Sequence, residues 1–324
     1  MQPLYLDIYH YNNAFKKLRI SLSKGPAPHK PILLLTVLQG VGHGLIRSPR
    51  IYVTPELLTQ FKANWACLVK SDHDCKPSYP FFHLKSSGFW KLKAKPGYET
   101  FVNQSSRSLS LSDLRLMIEY AEIDAELFDL MCDPIANATL TKTLLDKFFP
   151  HHVENEMLFV EGLRLLKEYE ENLLVADPIA YQIETKKLIE EDNEEEIFVR
   201  GGAFKREIPK VYQYTCAISG MRVQAAREVS LIDACHIVPF SESYDDTIGN
   251  GICLCPNLHR AFDRHLITIT PDYVVRVSSF FTESEVEYAI RPFNKKRILL
   301  PASKELYPRR ENLERHNEIF EKYQ

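Results

Sequence analysis

Apolar positions fall into blocks of helical spacing along most of the chain and gather into an aromatic cluster in one stretch. Leu158, Leu163, Leu165, Leu166, Tyr169 and Leu173 recur between acids and lysines, which predicts an amphipathic helix from Val153 to Leu174 that ends near Asp177-Pro178. Pro31 suits the first turn of a helix from Pro31 to Val41, where its missing N–H is no loss. Thr54-Pro55-Glu56 reads as the cap and start of a helix over Leu57 to Val69. Ser112-Asp113 is expected to cap a long helix reaching about Met131. Between Tyr79 and Tyr98, an aromatic run broken by Ser86-Ser87-Gly88 predicts a β-hairpin, Phe81 to Lys85 against Phe89 to Lys93. Further on, the stretch Val229-Ser230-Leu231-Ile232 predicts a strand leading to His236, and the segment from Leu258 to His265, after Pro256, predicts a short helix. Glu305 to Tyr323 reads as a charged terminal helix.

These elements give an α+β organisation in two domains. A helix-rich N-terminal domain with a small β-hairpin occupies 1–165, a helical and acidic connector 166–203, and a C-terminal domain with a terminal helix 204–324. Within the connector, Glu190-Glu191-Asp192-Asn193-Glu194-Glu195-Glu196 is a like-charge run expected to stay extended or frayed, with Gly201-Gly202 as its end. A length of 324 residues with 45% hydrophobic content is enough for two cores.

The net charge of −3 conceals a strong asymmetry. The first 115 residues carry 16 lysines and arginines against 6 acids, residues 151–199 carry 4 against 14, and residues 200–324 carry 18 against 16. A basic excess of this size is the electrostatic signature of contact with a phosphate backbone. Seven cysteines without disulfide-framework spacing fit a reducing compartment. No run of 18 apolar residues occurs, and Met1 to Phe15 lacks the apolar core of a targeting segment, so a cytoplasmic protein without a membrane span is expected.

The richest chemistry lies in Ala234-Cys235-His236-Ile237-Val238-Pro239 and Gly249-Asn250-Gly251-Ile252-Cys253-Leu254-Cys255-Pro256-Asn257-Leu258-His259. Hydrolysing a phosphodiester needs a base for water and a cation to neutralise developing charge. An imidazole titrates near neutrality, so His236 at a strand end suits the general base. On a helix, positions four apart share a face, so His259 and Asp263 point toward one divalent ion such as Mg²⁺ or Mn²⁺. Cys216 is followed by Ser219 and Cys255 by Leu258, which leaves no four-ligand set, so no structural zinc is expected.

Residues 205 to 280 resemble the HNH nuclease superfamily and its ββα-metal fold. The resemblance implies His236 as general base, Asn250 as the asparagine that holds the loop, and His259 with Asp263 as helix metal ligands. Many members place an aspartate or histidine ligand where this chain has Cys235, so either Cys235 binds a softer metal, or Asp233, on the same strand face, reaches the ion, or the ion keeps an extra water, and Asp233 or water is favoured.

Two clusters in the first half, Ala27-Pro28-His29-Lys30-Pro31 and Pro77-Ser78-Tyr79-Pro80-Phe81-Phe82-His83-Leu84 followed by Gly88-Phe89-Trp90, are similar to the sulfur-binding domain of phosphorothioation-dependent type IV restriction endonucleases. That resemblance spans about residues 1 to 165. It implies a hollow lined by Tyr79, Pro80 and the Cβ region of His83, with His29 and Lys30 on phosphate or base edges. Sulfur is larger and less strongly hydrated than oxygen, so an apolar hollow loses less on burying it. Together the two resemblances imply a prokaryotic defence nuclease that binds phosphorothioated double-stranded DNA and hydrolyses it with a divalent metal. A homodimer would place one site on each strand. The alternatives are an HNH nuclease whose first domain reads a modified base or a sequence, and a non-catalytic DNA- or partner-binding module.

Overall fold

The computed structural model describes residues 3–23, 25–150, 155–223, 230–284, 286 and 289–324. Its contacts divide the chain into Met1–Lys167 and Glu168–Gln324.

In the first unit, α1 (Pro3–Lys16) is followed by α2 (His29–Gly42), whose residues from Pro31 to Val41 are all buried. A helix apolar all round has no face for water and becomes the centre of a core, and four of the helices that follow it in this unit pack against α2. After the short strand β1 (Arg50–Ile51), Thr54 caps α3 (Pro55–Leu68) by accepting from the Leu57 N–H, as its sequence predicts. The chain continues through α4 (Ser78–His83), β2 (Trp90–Ala94), α5 (Glu99–Gln104), α6 (Leu111–Met117), β3 (Ile118–Ile123), α7 (Ala125–Cys132), α8 (Pro134–Phe148) and α9 (Asn155–Val175). The strands form one antiparallel sheet in the order β1-β3-β2, with Trp90 opposite Ile123 and Ile51 opposite Ala121.

Two expectations are corrected here. The Phe81–Lys85 half of the expected hairpin is helical, covered by α4 and a 3₁₀ turn over Leu84–Ser87, and β2 pairs instead with the distant β3. The long helix expected from Ser112 to Met131 is two helices with a strand between them, and Ser110, not Ser112, is its cap. The amphipathic helix expected from Val153 is α9 within the described residues; Val153 itself lies outside them.

In the second unit, α10 (Pro178–Glu190) and α11 (Glu194–Val211) precede β4 (Asp233–His236), α12 (Phe240–Ser243), β5 (Gly251–Leu254), α13 (Pro256–Asp263), the hairpin of β6 (Ile267–Ile269) and β7 (Val275–Val277), and α14 (Arg310–Lys322). The expected terminal helix is therefore shorter at its start than Glu305. Of the strand expected over Val229 to Ile232, Val229 lies outside the described residues, and the strand itself, β4, begins only at Asp233. The acidic run is not extended. Asn193 caps α11 by accepting from the Glu196 N–H, and Glu194, Glu195 and Glu196 sit in the first turn, where carboxylates are favoured by the helix dipole. Gly201 and Gly202, expected to end a connector, lie inside α11.

Strand β4 pairs antiparallel with β5, Cys235 opposite Ile252 and His236 opposite Gly251. Helix α11 lies across this pair so closely that a Cβ on Gly251 would come within 2.1 Å of the Ile208 side chain and 2.9 Å of Phe204. Strands β4 and β5 with α13 make a ββα unit backed by α11. The fold is α+β, with small sheets set among helices. No helix among the described residues is long and apolar enough to cross a membrane.

Candidate functional site

His236, His259 and Asp263, brought together by the ββα unit, line one cleft of about 280 Å³, with Val238, Phe240 and Arg315 also on its walls. His236 ends β4, and its ring stacks on Phe204 of α11 at 3.9 Å with 6° between planes. Asn250 is fully buried and ties both sides of the β4–β5 connection. Its Oδ1 accepts from the Val238 N–H at 3.0 Å, while its Nδ2 donates to the carbonyls of Val238 and Asp245, both at 2.9 Å. An asparagine does this well because one side chain carries acceptor and donors together.

Cys235, His259 and Asp263 each offer a ligand atom, and the three atoms lie within 4.8 Å of one another. Asp263 Oδ2 stands 3.5 Å from His259 Nε2, whereas Asp233 Oδ2 stands 3.5 Å from Nδ1 of the same ring. Asp233, expected along with water as a candidate further ligand, thus stands at the other edge of the imidazole, and Cys235 is the residue whose ligand atom lies near those of His259 and Asp263. Burial holds the Cys235 thiol well above its usual range, with the Asp263 carboxylate adding to the effect, and Sγ donates toward Asp263 Oδ1 at 3.8 Å.

A second hollow, of about 530 Å³, lies in the first unit. Tyr79, Pro80, His83, His29 and Lys30, singled out in the sequence, all line it. Helix α4 holds the first three of these: Phe81 and Phe82 are buried, and the Trp90 indole N–H donates to the Phe81 carbonyl at 2.9 Å. His83 Nε2 meets Ser108 Oγ at 3.0 Å, Lys30 donates to Ser86 Oγ at 3.1 Å, and His29 Nε2 lies 2.8 Å from the Asp74 carbonyl. No carboxylate is among the described lining residues. Burial lowers the pKa of His29, and that of Lys30 with help from Arg19; it lowers His83 with help from Lys30 and Lys85. Lys30, Lys85 and Arg19 on the lining would be favoured by a negative charge in the hollow, and the imidazoles of His29 and His83, held toward their neutral forms, offer hydrogen-bonding edges beside them.

Sequence reasoning missed Lys85, Arg19 and the serines at 105, 106 and 108. Lys85 donates to the Val102 and Ser105 carbonyls at 2.6 and 2.7 Å, fixing the serine loop as the far wall. It also missed Asp246, whose carboxylate lies 2.8 Å from His236. The adjacent acids Asp245-Asp246, between the two motif halves, were the available signal.

Residues 11–166 match the family of ScoMcrA-like DNA sulfur-binding domains, and residues 216–270 match HNH endonucleases. Both domain types are present. Among solved structures, the sulfur-binding domain alone is similar to that of SprMcrA complexed with phosphorothioated DNA, at 16% identity and TM-score 0.36 over 48% of this chain and 93% of that one. It is also similar to that of ScoMcrA complexed with phosphorothioated DNA, at 21% identity and TM-score 0.36 over 48% and 96%. A type IV phosphorothioation-dependent restriction endonuclease, ScoMcrA, covers 78% of this chain and 94% of its own length at 12% identity and TM-score 0.34. No curated protein matches the chain. The basic hollow lies in the sulfur-binding domain, and the His236 cleft lies in the HNH domain.

Proposed function

We propose that the protein is a cytoplasmic restriction endonuclease that recognises phosphorothioated double-stranded DNA through its first domain and hydrolyses DNA phosphodiesters with the HNH domain. The observation that carries the reading is the presence, in one chain, of a sulfur-binding domain with a hollow lined by basic side chains and an HNH domain whose cleft brings His236, His259 and Asp263 together.

In the hollow, Tyr79 and Pro80 provide the apolar wall against which the weakly hydrated sulfur rests, and His29 and Lys30 face the phosphate and neighbouring bases. In the cleft, His236 takes the proton of the attacking water. Asn250 keeps the loop after β4 in one shape, so that the base stays where the phosphate arrives. Thiol, imidazole and carboxylate within 4.8 Å fit a divalent cation held by Cys235, His259 and Asp263. Asp233, on the far edge of the His259 ring, orients that ligand in the way outer carboxylates commonly do. When bound, the cation supplies positive charge to the phosphate as it becomes more negative. A sulfur ligand draws the choice toward softer ions than Mg²⁺. Two copies, one per strand, account for a double-strand break.

The test uses a phosphorothioate-bearing duplex and its all-oxygen twin. Gel-shift affinity should favour the sulfur duplex, and equal binding would overturn the sulfur assignment. His236→Ala should keep that preference while cleavage falls by roughly 10²–10⁴-fold, the usual worth of a general base.

A further inference from the structure

The loop between β4 and β5 places a buried carboxylate against the ring of His236, and the reaction as described leaves it without a task. Asp246 Oδ1 lies 2.8 Å from His236 Nε2, and Asp246 is 2% exposed. Its other oxygen, Oδ2, accepts from the hydroxyl of Tyr181 at 3.3 Å, and Tyr181 is itself buried on α10. The loop on either side of Asp246 is clamped. Asp245 is 1% exposed, pairs with Arg309, and accepts from both the N–H and the hydroxyl of Thr247, at 2.8 and 2.6 Å. Arg309 also donates to Thr247 Oγ1 at 3.0 Å, and Asn250 Nδ2 donates to the Asp245 carbonyl at 2.9 Å. Phe204 covers one face of the His236 ring. The imidazole thus has one edge on a fixed acceptor, one face on a phenyl ring, and the remainder toward the cleft.

A neutral imidazole carries its proton on either nitrogen, and only the bare nitrogen accepts a proton from water. A carboxylate offers acceptors alone, so Asp246 selects the tautomer with hydrogen on Nε2. The lone pair is then on Nδ1, for which the described residues show no hydrogen-bond partner. We propose that Asp246 is the positioning residue that sets the tautomer and orientation of His236, and that Tyr181, from the helix before the HNH motif, fixes the Asp246 carboxylate in turn. This rests on His236 being the base. It makes α10 and α11 part of the catalytic support.

The decisive variant is Asp246→Asn, which keeps volume but lets an N–H₂ face Nε2 and so permits the opposite tautomer. In the full-length protein, cleavage of the phosphorothioate duplex should show kcat reduced by about 10²-fold or more with KM within about twofold of wild type, as expected when a carboxylate that fixes a catalytic histidine becomes an amide. Tyr181→Phe should lower kcat by a smaller factor, about 3–10-fold, again at unchanged KM. Nitrogen-15 NMR of histidine-labelled protein, with the His236 signals assigned by difference against His236→Ala, should show the proton on Nε2 in the wild type. A proton on Nδ1, or an Asp246→Asn enzyme with wild-type kcat, overturns the proposal. If Asp246→Asn fails to fold, the wild-type tautomer and Tyr181→Phe still decide. A fully active His236→Ala enzyme would instead overturn the base assignment itself, which keeps the two failures apart.

Discussion

His316, on α14, shows how one buried residue can set the acid limit of the HNH domain. Its ring stacks on Phe262 at 3.7 Å, Nδ1 meets Thr268 Oγ1 at 2.8 Å, and Nε2 lies 3.2 Å from the Phe262 carbonyl. Burial pulls its pKa down to about 3; the facing His265 pushes the same way, and the Phe262 carbonyl opposes. In the unfolded chain the same imidazole titrates at its ordinary 6.5. Below that pH the unfolded state takes up a proton that the folded state refuses, so this contribution is fully present above pH 6.5 and lost as the pH falls toward 3. Between pH 7 and pH 5 the loss is about 2 kcal/mol. Urea melts at those two pH values should show the wild type losing about 2 kcal/mol more than His316→Gln. Identical losses in the two proteins would remove His316 from the account.

At the level of elements, the contact of α11 with β5 is the one on which the cleft rests. Gly251 is where the helix side chains touch the strand backbone, and an alanine there would drive its Cβ into Ile208 and Phe204. Gly251→Ala should destabilise the domain by about 1–3 kcal/mol through overpacking. Because Phe204 is also the ring stacked on His236, cleavage should fall further than the remaining folded fraction explains. A denaturation curve together with a rate measured well below its transition separates the two effects. The same contact marks what the sequence did and did not disclose. The motif around His236, Asn250 and His259 was legible because chemistry constrains those positions directly, and α2, α3, α9 and α13 because caps, prolines and apolar spacing are local signals. Strand β3 was not: residues 118–123 are held by partners at 50–51 and 90–94, and nothing local separates such a strand from a helix between two helices. Helix α4 was misread as strand because an aromatic run serves either state, and only the Trp90 bond to the Phe81 carbonyl and the burial of Phe82 decide it. The acidic run misled for a different reason. Mutual repulsion of like charges argues for an extended run, whereas Asn193 and the helix dipole put three of them in a favourable first turn, where Glu196 also accepts from the Tyr169 hydroxyl at 2.7 Å.

Across the whole molecule, charge and shape divide the labour of recognition, and salt can separate them. The chain is nearly neutral, at −3, yet its first 115 residues hold 16 basic side chains against 6 acidic ones. Attraction between that surface and a phosphate backbone is long-ranged and released by counterions, so affinity should fall steeply as salt rises, by about 0.9 in log–log slope for each phosphate neutralised. The sulfur preference has a different origin. Replacing one oxygen by sulfur leaves the backbone charge almost unchanged, so under the proposed function discrimination comes from contact within the hollow that Tyr79 and Pro80 line, and contact is not screened. Affinities for both duplexes should therefore decline together between about 50 and 200 mM salt while their ratio stays constant. Lys30→Gln should weaken both alike and lower the slope by about one, because it removes a phosphate partner and leaves the wall intact. Tyr79→Ala should do the reverse, keeping the slope and collapsing the ratio. Fluorescence anisotropy on the two duplexes across a salt series measures slope and ratio in one experiment. A ratio that decays in step with affinity would mean that the hollow reads charge rather than sulfur, and the division of labour between basic surface and apolar wall would not hold.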